Sequence, residues 1–205
     1  MDKIITISRE YGAGGHSIGQ QVAKELGIPF YDRDILKATV QTSGFDPDMV
    51  EHDQEDVSST NFFFKSICSF ADASFSDTQD AIHDVQKAVI LHFAKEGPCV
   101  ILGRCGDYVL RDRKDVLRIF VYAPKEWRLA YGKENNMLQA KDEKGIKDEI
   151  DKTDRNRAAY YNYYTQNRWG DAHNYDLAIN AALGHDACVN MILAAAEAKE
   201  KTMEG

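Results

Sequence analysis

The chain has 205 residues, of which 43% are hydrophobic and 28% charged, and its formal net charge is −8. This length and composition are those of one globular domain with a core of ordinary size. The acidic balance disfavours a nucleic-acid polymer as the ligand, because proteins that bind one carry a basic surplus. A small anion remains a reasonable ligand if a few arginines, lysines and backbone N–H groups converge on it.

The cysteines and the start of the chain indicate the environment. The sequence has four cysteines and no CxxC pair, so we expect neither a zinc site nor a disulfide-rich secreted fold. Reduced thiols are expected, with Cys99 and Cys188 packed in the core. No apolar signal region precedes the first strand and no stretch is long enough to span a bilayer. We therefore predict a cytoplasmic protein without a membrane partner.

Strands and helices alternate from the beginning of the sequence. Residues 3–8 form a β-branched run that is typical of a buried strand. A helical pattern of apolar residues begins at His16 and ends at Gly27. A second, short strand at residues 28–31 is followed by Asp32, which is placed to cap a helix reaching about residue 42.

The rest of the chain continues the alternation after one irregular stretch. Residues 44–76 mix acidic and aromatic side chains, and we interpret them as a mobile flap of short helices. The remaining predicted elements are a helix at 77–95, strands at 99–102, 116–122 and 177–180, a charged helical arm at about 133–168 and a final helix at 185–201. This order predicts a single α/β domain over residues 1–205, with a mostly parallel five-stranded sheet and helices on both faces.

A glycine-rich loop follows the first strand. Gly12, Gly14 and Gly15 lie between this strand and its helix, where backbone N–H groups and the helix N-terminus favour an anion. The match to the phosphate-binding pattern GxxxxGK[ST] is imperfect, because Gly15 stands at the lysine position and His16 at the hydroxyl position, with Ser17 one place later. The alternative is a tight strand-to-helix turn without a ligand.

Several segments resemble, in the same order, those of the cytidylate-kinase-like family. The segments are I-T-I-S-R-E-Y-G-A-G-G-H-S-I-G, L-G-I-P-F-Y-D-R-D-I-L, C-V-I-L-G-R-C-G-D-Y-V-L, R-I-F-V-Y-A-P, D-K-T-D-R-N-R-A-A-Y-Y and Y-D-L-A-I-N. Together they span nearly the whole chain, and the loop without lysine belongs to the family pattern. The resemblance implies a three-layer P-loop nucleoside monophosphate kinase fold with a substrate flap at about 44–76 and a lid arm at about 133–168.

The resemblance also implies an activity. We expect ATP- and Mg²⁺-dependent transfer of the γ-phosphoryl group to a nucleoside monophosphate, nominally CMP or dCMP, with another small acceptor as an alternative. Because Gly15 replaces the lysine, a second hypothesis is a nucleotide-binding module that has lost efficient transfer and acts as a sensor or partner-binding protein. A homodimer stays open, since the helix at 77–95 would line either a dimer interface or the core.

In such a kinase the loop would hold the donor phosphates through backbone N–H groups. The loop residues concerned are Gly12, Ala13, Gly14, Gly15, His16 and Ser17. The Ser17 hydroxyl is the best candidate to contact Mg²⁺, although it is equally a first-turn serine without a metal. Asp32 either holds Mg²⁺ through water or caps the helix that follows. Arg9 or His16 would replace the charge of the missing lysine.

Arginines at strand ends and in the arm complete the predicted site. Arg33 and Arg104 follow strands, where bidentate bonding suits an acceptor phosphate. In the arm, Lys152 and Arg155 are three residues apart and would converge, whereas Arg155 and Arg157 face different ways. The alternative for the arm is a salt-bridged surface helix.

The predicted site residues outside the glycine loop have two roles. The residues predicted to be catalytic are Arg9, Arg104, Lys152 and Arg155, and those predicted to bind the substrate are Asp32, Arg33, Arg104 and Arg157. Arg128 is a weaker lid candidate. The tyrosines at positions 160, 161, 163 and 164 are expected to pack the arm against the body.

Overall fold

The computed structural model describes residues 3–32, 75–135, 140 and 142–204. Our predictions for Arg33, for the helix after Asp32 and for nearly all of the flap lie outside the described residues.

One parallel sheet organises the described part of the chain. Its strands are β1 (Ile4–Arg9), β2 (Phe30–Tyr31), β3 (Cys99–Leu102), β4 (Val116–Tyr122) and β5 (Leu177–Asn180). They lie in the order β2-β3-β1-β4-β5, and every neighbouring pair is parallel. Because the strands all run the same way, their carboxyl ends meet at one edge of the sheet, where α/β folds of this kind bind ligands.

Six α-helices connect and cover these strands within the described ranges. They are α1 (Gly15–Leu26), α2 (Phe75–Glu96), α3 (Gly106–Val109), α4 (Lys125–Glu134), α5 (Glu143–Thr165) and α6 (His185–Glu204). The predicted arm at 133–168 is therefore not one continuous helix, since it contains the end of α4 and then α5.

Two hydrophobic clusters fill the space on opposite faces of the sheet. Alternate residues of β1 point to opposite faces, so Ile5 packs with Val22 of α1 and Ile192 of α6, whereas Ile4 packs with Ile90 of α2. Both faces are covered, which explains why β1, β3 and most of β4 are buried along their length. The three-layer α/β fold predicted from the sequence is thus confirmed.

The cysteines in the described ranges lie in the interior of the protein. Cys99, Cys105 and Cys188 are buried free thiols, so the prediction that Cys99 and Cys188 lie in the core is confirmed. None of the helices in the described ranges is long and apolar enough to cross a membrane.

Candidate phosphate-binding site

The glycine loop turns at the carboxyl end of β1 and enters α1. Gly12 and Gly14 have φ angles of 75° and 72°, in the left-handed region that costs a residue with a side chain about 1–2 kcal/mol. Within the described chain, the N–H groups of Gly12, Gly14, Gly15, His16 and Ser17 donate no hydrogen bond. The last three are first-turn amides of α1, which lack intrahelical acceptors. Open amides at a helix N-terminus favour a bound anion.

One of the predicted loop donors is already used. The N–H of Ala13 donates to the carbonyl of Glu10 at 3.3 Å. Ala13 therefore closes the turn, and the five amides around it have no acceptor among the described residues.

An ion pair between buried Arg128 and part-buried Asp154 holds the first half of the loop. Asp154 of α5 accepts from the N–H of Tyr11 at 2.7 Å, and Arg128 of α4 donates to the carbonyl of Tyr11 at 3.0 Å. The two side chains also bind one another, with 2.5 Å between Arg128 Nη1 and Asp154 Oδ2. Both backbone polar groups of Tyr11 are thus satisfied by a single pair, which fixes the loop backbone between two helices.

Glu10 adds a second carboxylate to this pair. Its Oε2 accepts from the N–H of Ala123 at 3.1 Å and lies 3.4 Å from Arg128 Nε. Burial raises the pKa of Glu10, and the Ala123 amide and the Arg128 charge partly oppose that rise. Arg128 is only 7% exposed and pairs with two part-buried carboxylates. In this structure it supports the loop, and its role as a weaker lid candidate stays a prediction.

Two further contacts from α5 reach the same loop. The hydroxyl of Tyr11 donates to Glu149 at 3.0 Å, and Glu149 also accepts from the N–H of Ala140 at 3.0 Å. Arg157 donates to the carbonyl of Arg9 at 3.0 Å, and its guanidinium lies 5.5 Å from the centre of the Tyr11 ring. Residues from three successive turns of α5, Glu149, Asp154 and Arg157, therefore contact Tyr11 or Arg9.

The corner after β3 carries Arg104 and contacts the strand that leads into the loop. The N–H of Gly103 donates to the carbonyl of Ile7 in β1 at 2.9 Å, so the corner adjoins the strand that leads into the loop. Gly103, Arg104 and Cys105 have φ angles of 74°, 54° and 55°. The left-handed conformation of two residues with side chains costs about 1–2 kcal/mol each. Strain of this kind persists where the surroundings enforce it and is concentrated at functional sites.

A buried carboxyl lies directly behind this corner. Asp107 of α3 is 5% exposed and accepts from the hydroxyl of Tyr161 in α5 at 2.6 Å. Burial raises the pKa of Asp107, and the hydrogen bond from Tyr161 and the charge of Arg118 oppose the rise. The contact joins the Arg104 corner to the helix that also holds the loop.

Replacing Asp107 by asparagine is expected to change how stability depends on pH. A carboxyl whose pKa rises on folding contributes its stability below the unfolded pKa of about 3.9. That contribution is lost as the pH rises through the folded pKa. Asparagine does not ionise and still accepts a hydrogen bond from Tyr161. Urea titrations would give the unfolding free energies of the wild type and of Asp107→Asn. The wild-type value minus the variant value should fall by up to about 1.4 kcal/mol per pH unit between the unfolded and the folded pKa of Asp107. A difference that stays constant between about pH 4 and 7 would contradict this assignment.

Ser17 and Asp32 supply oxygen atoms near the start of α1. The Ser17 hydroxyl donates to the carbonyl of Gly14 at 2.9 Å and lies 3.1 Å from the hydroxyl of Tyr131. Asp32 lies 3.3 Å from Nε2 of His16. Hydroxyl and carboxylate oxygens are the donors that Mg²⁺ accepts in phosphate sites, where one or two protein ligands are enough. The donor chemistry therefore fits the ion, although no group of three or more His, Cys, Asp or Glu side chains is placed to hold a metal among the described residues.

The remaining predicted residues are distributed unevenly. Arg157 reaches the loop, but Arg155 is exposed and Lys152 half-buried, and in the described chain neither makes a hydrogen bond or an ion pair. Their convergence on phosphate stays a prediction. Of the four tyrosines, Tyr160, Tyr161 and Tyr164 pack α5 on the body, as expected, whereas Tyr163 is 60% exposed.

Sequence reasoning missed the support of the loop. It did not single out Tyr11, Glu149, Asp154 or Asp107. A signal was present, because Glu149, Thr153 and Arg157 follow Ile146 and Ile150 at helical spacing on α5, and charged residues on an apolar stripe indicate buried pairs. Asp107 had no comparable signal, since its burial depends on the packing of α5 above it.

Known proteins similar to this chain indicate its family and its fold. The cytidylate kinase-like family matches residues 4–182. An uncharacterized protein from Eubacterium ventriosum is 24% identical, with a TM-score of 0.70 over 95% of this chain and 98% of that one. A shikimate kinase from Bacteroides thetaiotaomicron is 14% identical, with a TM-score of 0.57 over 95% of this chain and 98% of that one. The protein TT1252 from Thermus thermophilus is 16% identical, with a TM-score of 0.57 over 96% and 97% of the two chains.

Among curated proteins, none matches this sequence. The solved structures share the fold of this chain at low sequence identity, and the family match covers most of its length. This protein, with its five-stranded parallel sheet and its lysine-free glycine loop, belongs to the cytidylate kinase-like family.

Proposed function

We propose that this protein is a kinase that transfers the γ-phosphoryl group of ATP to a nucleoside monophosphate, with CMP or dCMP as the nominal acceptor. The observation that carries the proposal is the set of open loop amides at the start of α1, next to the strained Arg104 corner. Family membership supports kinase chemistry in general. The acceptor and the cytoplasmic location remain proposals.

The donor phosphates would lie on the loop. The N–H groups of Gly12, Gly14, Gly15, His16 and Ser17 would donate to phosphate oxygens, assisted by the positive end of α1. Asp154 and Arg128 would keep Tyr11, and with it the loop, in the shape that presents these amides. Positioning of this kind and positive charge are what phosphoryl transfer requires from a protein.

Mg²⁺ would be held by the Ser17 hydroxyl, with the Asp32 carboxylate acting through water. When bound, the ion would neutralise charge on the phosphates. Ser17 would then exchange its contact with the Tyr131 hydroxyl for the metal, and Asp32 would divide its charge between the metal and His16.

The acceptor phosphate would bind at Arg104, in the corner that follows β3 and contacts β1. An acceptor phosphate oxygen would bond to the γ-phosphorus while the bond to the β–γ bridging oxygen breaks, and ADP would leave with that electron pair. The guanidinium of Arg104 would stabilise the charge on the oxygens during this step. Arg33, Lys152 and Arg155 stay predicted contributors.

A second candidate function rests on Gly15. The absence of a lysine at this position favours a module that binds ATP without efficient transfer. Such a protein would bind ATP but would not release ADP when an acceptor is added.

An ADP-release assay separates these functions. We would test CMP, dCMP, UMP, AMP, GMP and shikimate as acceptors, the last because a solved structure with this fold is a shikimate kinase. Turnover on a nucleoside monophosphate is expected, with CMP or dCMP preferred. ATP binding without acceptor-dependent ADP release would support the module, and turnover on shikimate alone would reassign the acceptor.

Two glycine variants provide the matched loop control. Gly14 and Gly27 both have left-handed φ angles, of 72° and 65°. A Cβ at Gly14 would lie 3.2 Å from the Tyr131 ring, whereas nothing lies within 4 Å of one at Gly27. Gly14→Ala and Gly27→Ala thus impose similar backbone strain, of about 1 kcal/mol. ATP affinity should fall by about tenfold or more in Gly14→Ala only. Equal losses in both variants would contradict a role for the loop.

A further inference from the structure

Position 15 is occupied by glycine for reasons of space. Gly15 is the first residue of α1, and its φ angle is not among the positive ones, so its backbone conformation does not demand glycine. A Cβ placed on Gly15 would lie 2.7 Å from Cβ and 2.9 Å from Cγ of Arg9. No real side chain tolerates such contacts. What excludes every other residue from position 15 is therefore the side chain of Arg9.

Arg9 is held where this overlap is unavoidable. It is the last residue of β1, pairs with Val121 of β4 and accepts from Arg157 through its backbone carbonyl at 3.0 Å. The residue is 9% exposed. Its aliphatic part lies against the first residue of α1, because Cδ of Arg9 also lies only 3.7 Å from the Cβ position of Gly15.

The space that Arg9 takes is the space in which a P-loop lysine would begin. In the pattern GxxxxGK[ST], Gly15 stands at the lysine position. A lysine there would reach toward the β- and γ-phosphates from the first turn of the helix. We infer that Arg9 supplies this charge from the end of β1 instead. Gly15, which has no Cβ, leaves free the space that the Arg9 side chain occupies.

His16 is less suited to the same task. Its Nε2 lies 3.3 Å from the carboxylate of Asp32, and its ring meets Phe30 edge-on with 5.2 Å between ring centres. The side chain is thus directed to β2, where a carboxylate offsets any charge it gains. Arg9 keeps its charge at every working pH, and its planar donors match phosphate oxygens in pairs. Of the two candidates, the geometry favours Arg9.

This inference rests on the proposed function, since it concerns the donor phosphates of that site. It assigns to Arg9 a contact with the β- and γ-phosphoryl groups, and no proton leaves or reaches the guanidinium. If Arg9 contacts these groups, removing its charge should lower the affinity for ATP and ADP, which carry a β-phosphate. The affinity for AMP at the donor loop should not change. A residue needed only for folding would weaken all three ligands together.

The first experiment removes or keeps the charge at position 9. Binding of a non-hydrolysable ATP analogue, ADP and AMP would be measured by calorimetry for the wild type, Arg9→Met and Arg9→Lys, with CMP saturating the acceptor site. Arg9→Met should weaken ATP and ADP binding by about tenfold or more, the size of one charge-assisted hydrogen bond. AMP affinity should be unchanged, and Arg9→Lys should retain most of the ATP affinity.

The second experiment moves the charge to the position of the standard pattern. Arg9→Gly clears both atoms that overlap position 15, so Arg9→Gly combined with Gly15→Lys has room for a lysine. This double variant should bind ATP more tightly than either single variant. Gly15→Lys alone should lose ATP affinity, because its lysine meets Arg9. Urea titrations of all variants would identify any that do not fold.

The outcomes separate this inference from the proposed function. A wild type that binds no ATP would overturn both. A wild type that binds ATP, with Arg9→Met equally tight or weakened equally toward AMP, would overturn the role of Arg9 alone. The same holds if the folded double variant binds ATP no better than Arg9→Gly. ATP-selective loss in Arg9→Met together with recovery in the double variant would establish the role.

Discussion

Arg104→Ala is expected to lower kcat/KM for the acceptor by about a thousandfold, the effect of losing an arginine that stabilises a transferring phosphoryl group. The corner that contains this residue contacts β1, and Arg104 has a backbone conformation that arginine adopts only at a cost. ATP affinity should change little, because the donor loop does not depend on Arg104. The measurement is steady-state ADP release with the acceptor varied.

The backbone of Arg104 provides a test that an ordinary structural residue would fail. Glycine has no Cβ penalty at a φ of 54°. The unfolding free energy of Arg104→Gly, from urea titrations, should therefore equal that of the wild type or exceed it by up to about 1 kcal/mol. Its activity should fall as far as that of Arg104→Ala. Strain kept for function has this signature, in which stability rises as activity falls.

Arg111 offers the control for nonspecific loss of positive charge. It is an exposed arginine just after α3 whose guanidinium lies 4.3 Å from the Tyr108 ring centre. Arg111→Ala should retain nearly full activity. If Arg111→Ala and Arg104→Ala lose activity equally, or if Arg104→Gly remains active, Arg104 does not bind the acceptor.

Arg128→Met is expected to destabilise the protein by up to about 3–5 kcal/mol, because it leaves a part-buried carboxylate without its counter-charge. The carboxylate is Asp154, which would keep its contact with the Tyr11 amide but lose the guanidinium 2.5 Å away. The carbonyl of Tyr11 would lose its donor as well. Urea denaturation measures this change, and the loosened loop should also bind ATP more weakly.

Two variants isolate the charge from the packing. In Arg128→Met/Asp154→Asn, the asparagine oxygen still accepts from Tyr11 and no unpaired charge remains at position 154. The double variant should therefore be more stable than Arg128→Met. Equal instability of the two would show that packing, and not the ion pair, accounts for the loss.

A second ion pair between the same two helices provides a matched comparison. Lys125 of α4 contacts Asp151 of α5 at 2.5 Å, but the two side chains are 35% and 41% exposed. Solvent screens such a pair, so Lys125→Met should cost less than about 1 kcal/mol. A loss as large as that of Arg128→Met would contradict the argument from burial.

Helix α5 changes how the predicted arm should be understood. Glu149, Asp154 and Arg157 of this helix bind the backbone or side chains of Arg9 and Tyr11, so one part of the predicted lid arm supports the loop. Lys152 and Arg155, on other faces of the same helix, remain the residues that would meet phosphate from the arm.

Local pattern was enough to predict the architecture of this protein. The β-branched run of β1, the alternation of strands with helices and the breaks at Gly27 and Gly97 depend on short-range preferences that each segment carries by itself. The predicted strands at 99–102, 116–122 and 177–180 match β3, β4 and β5. The position of the glycine loop followed from the same reasoning, because a loop after the first strand of a parallel sheet lies at its carboxyl edge.

The surroundings of that loop are visible only in the folded chain. From the sequence we could predict that glycines, Arg9 and Arg104 lie near strand ends. The sequence by itself could not determine that Asp154 holds the Tyr11 amide, that Arg128 is buried between two acids, or that Arg9 fills the space above Gly15. These contacts join residues far apart in the chain, and their geometry depends on how α4 and α5 pack over the sheet edge. Short-range preferences contain no information about such packing, which is why the support of the site became visible only in the folded chain.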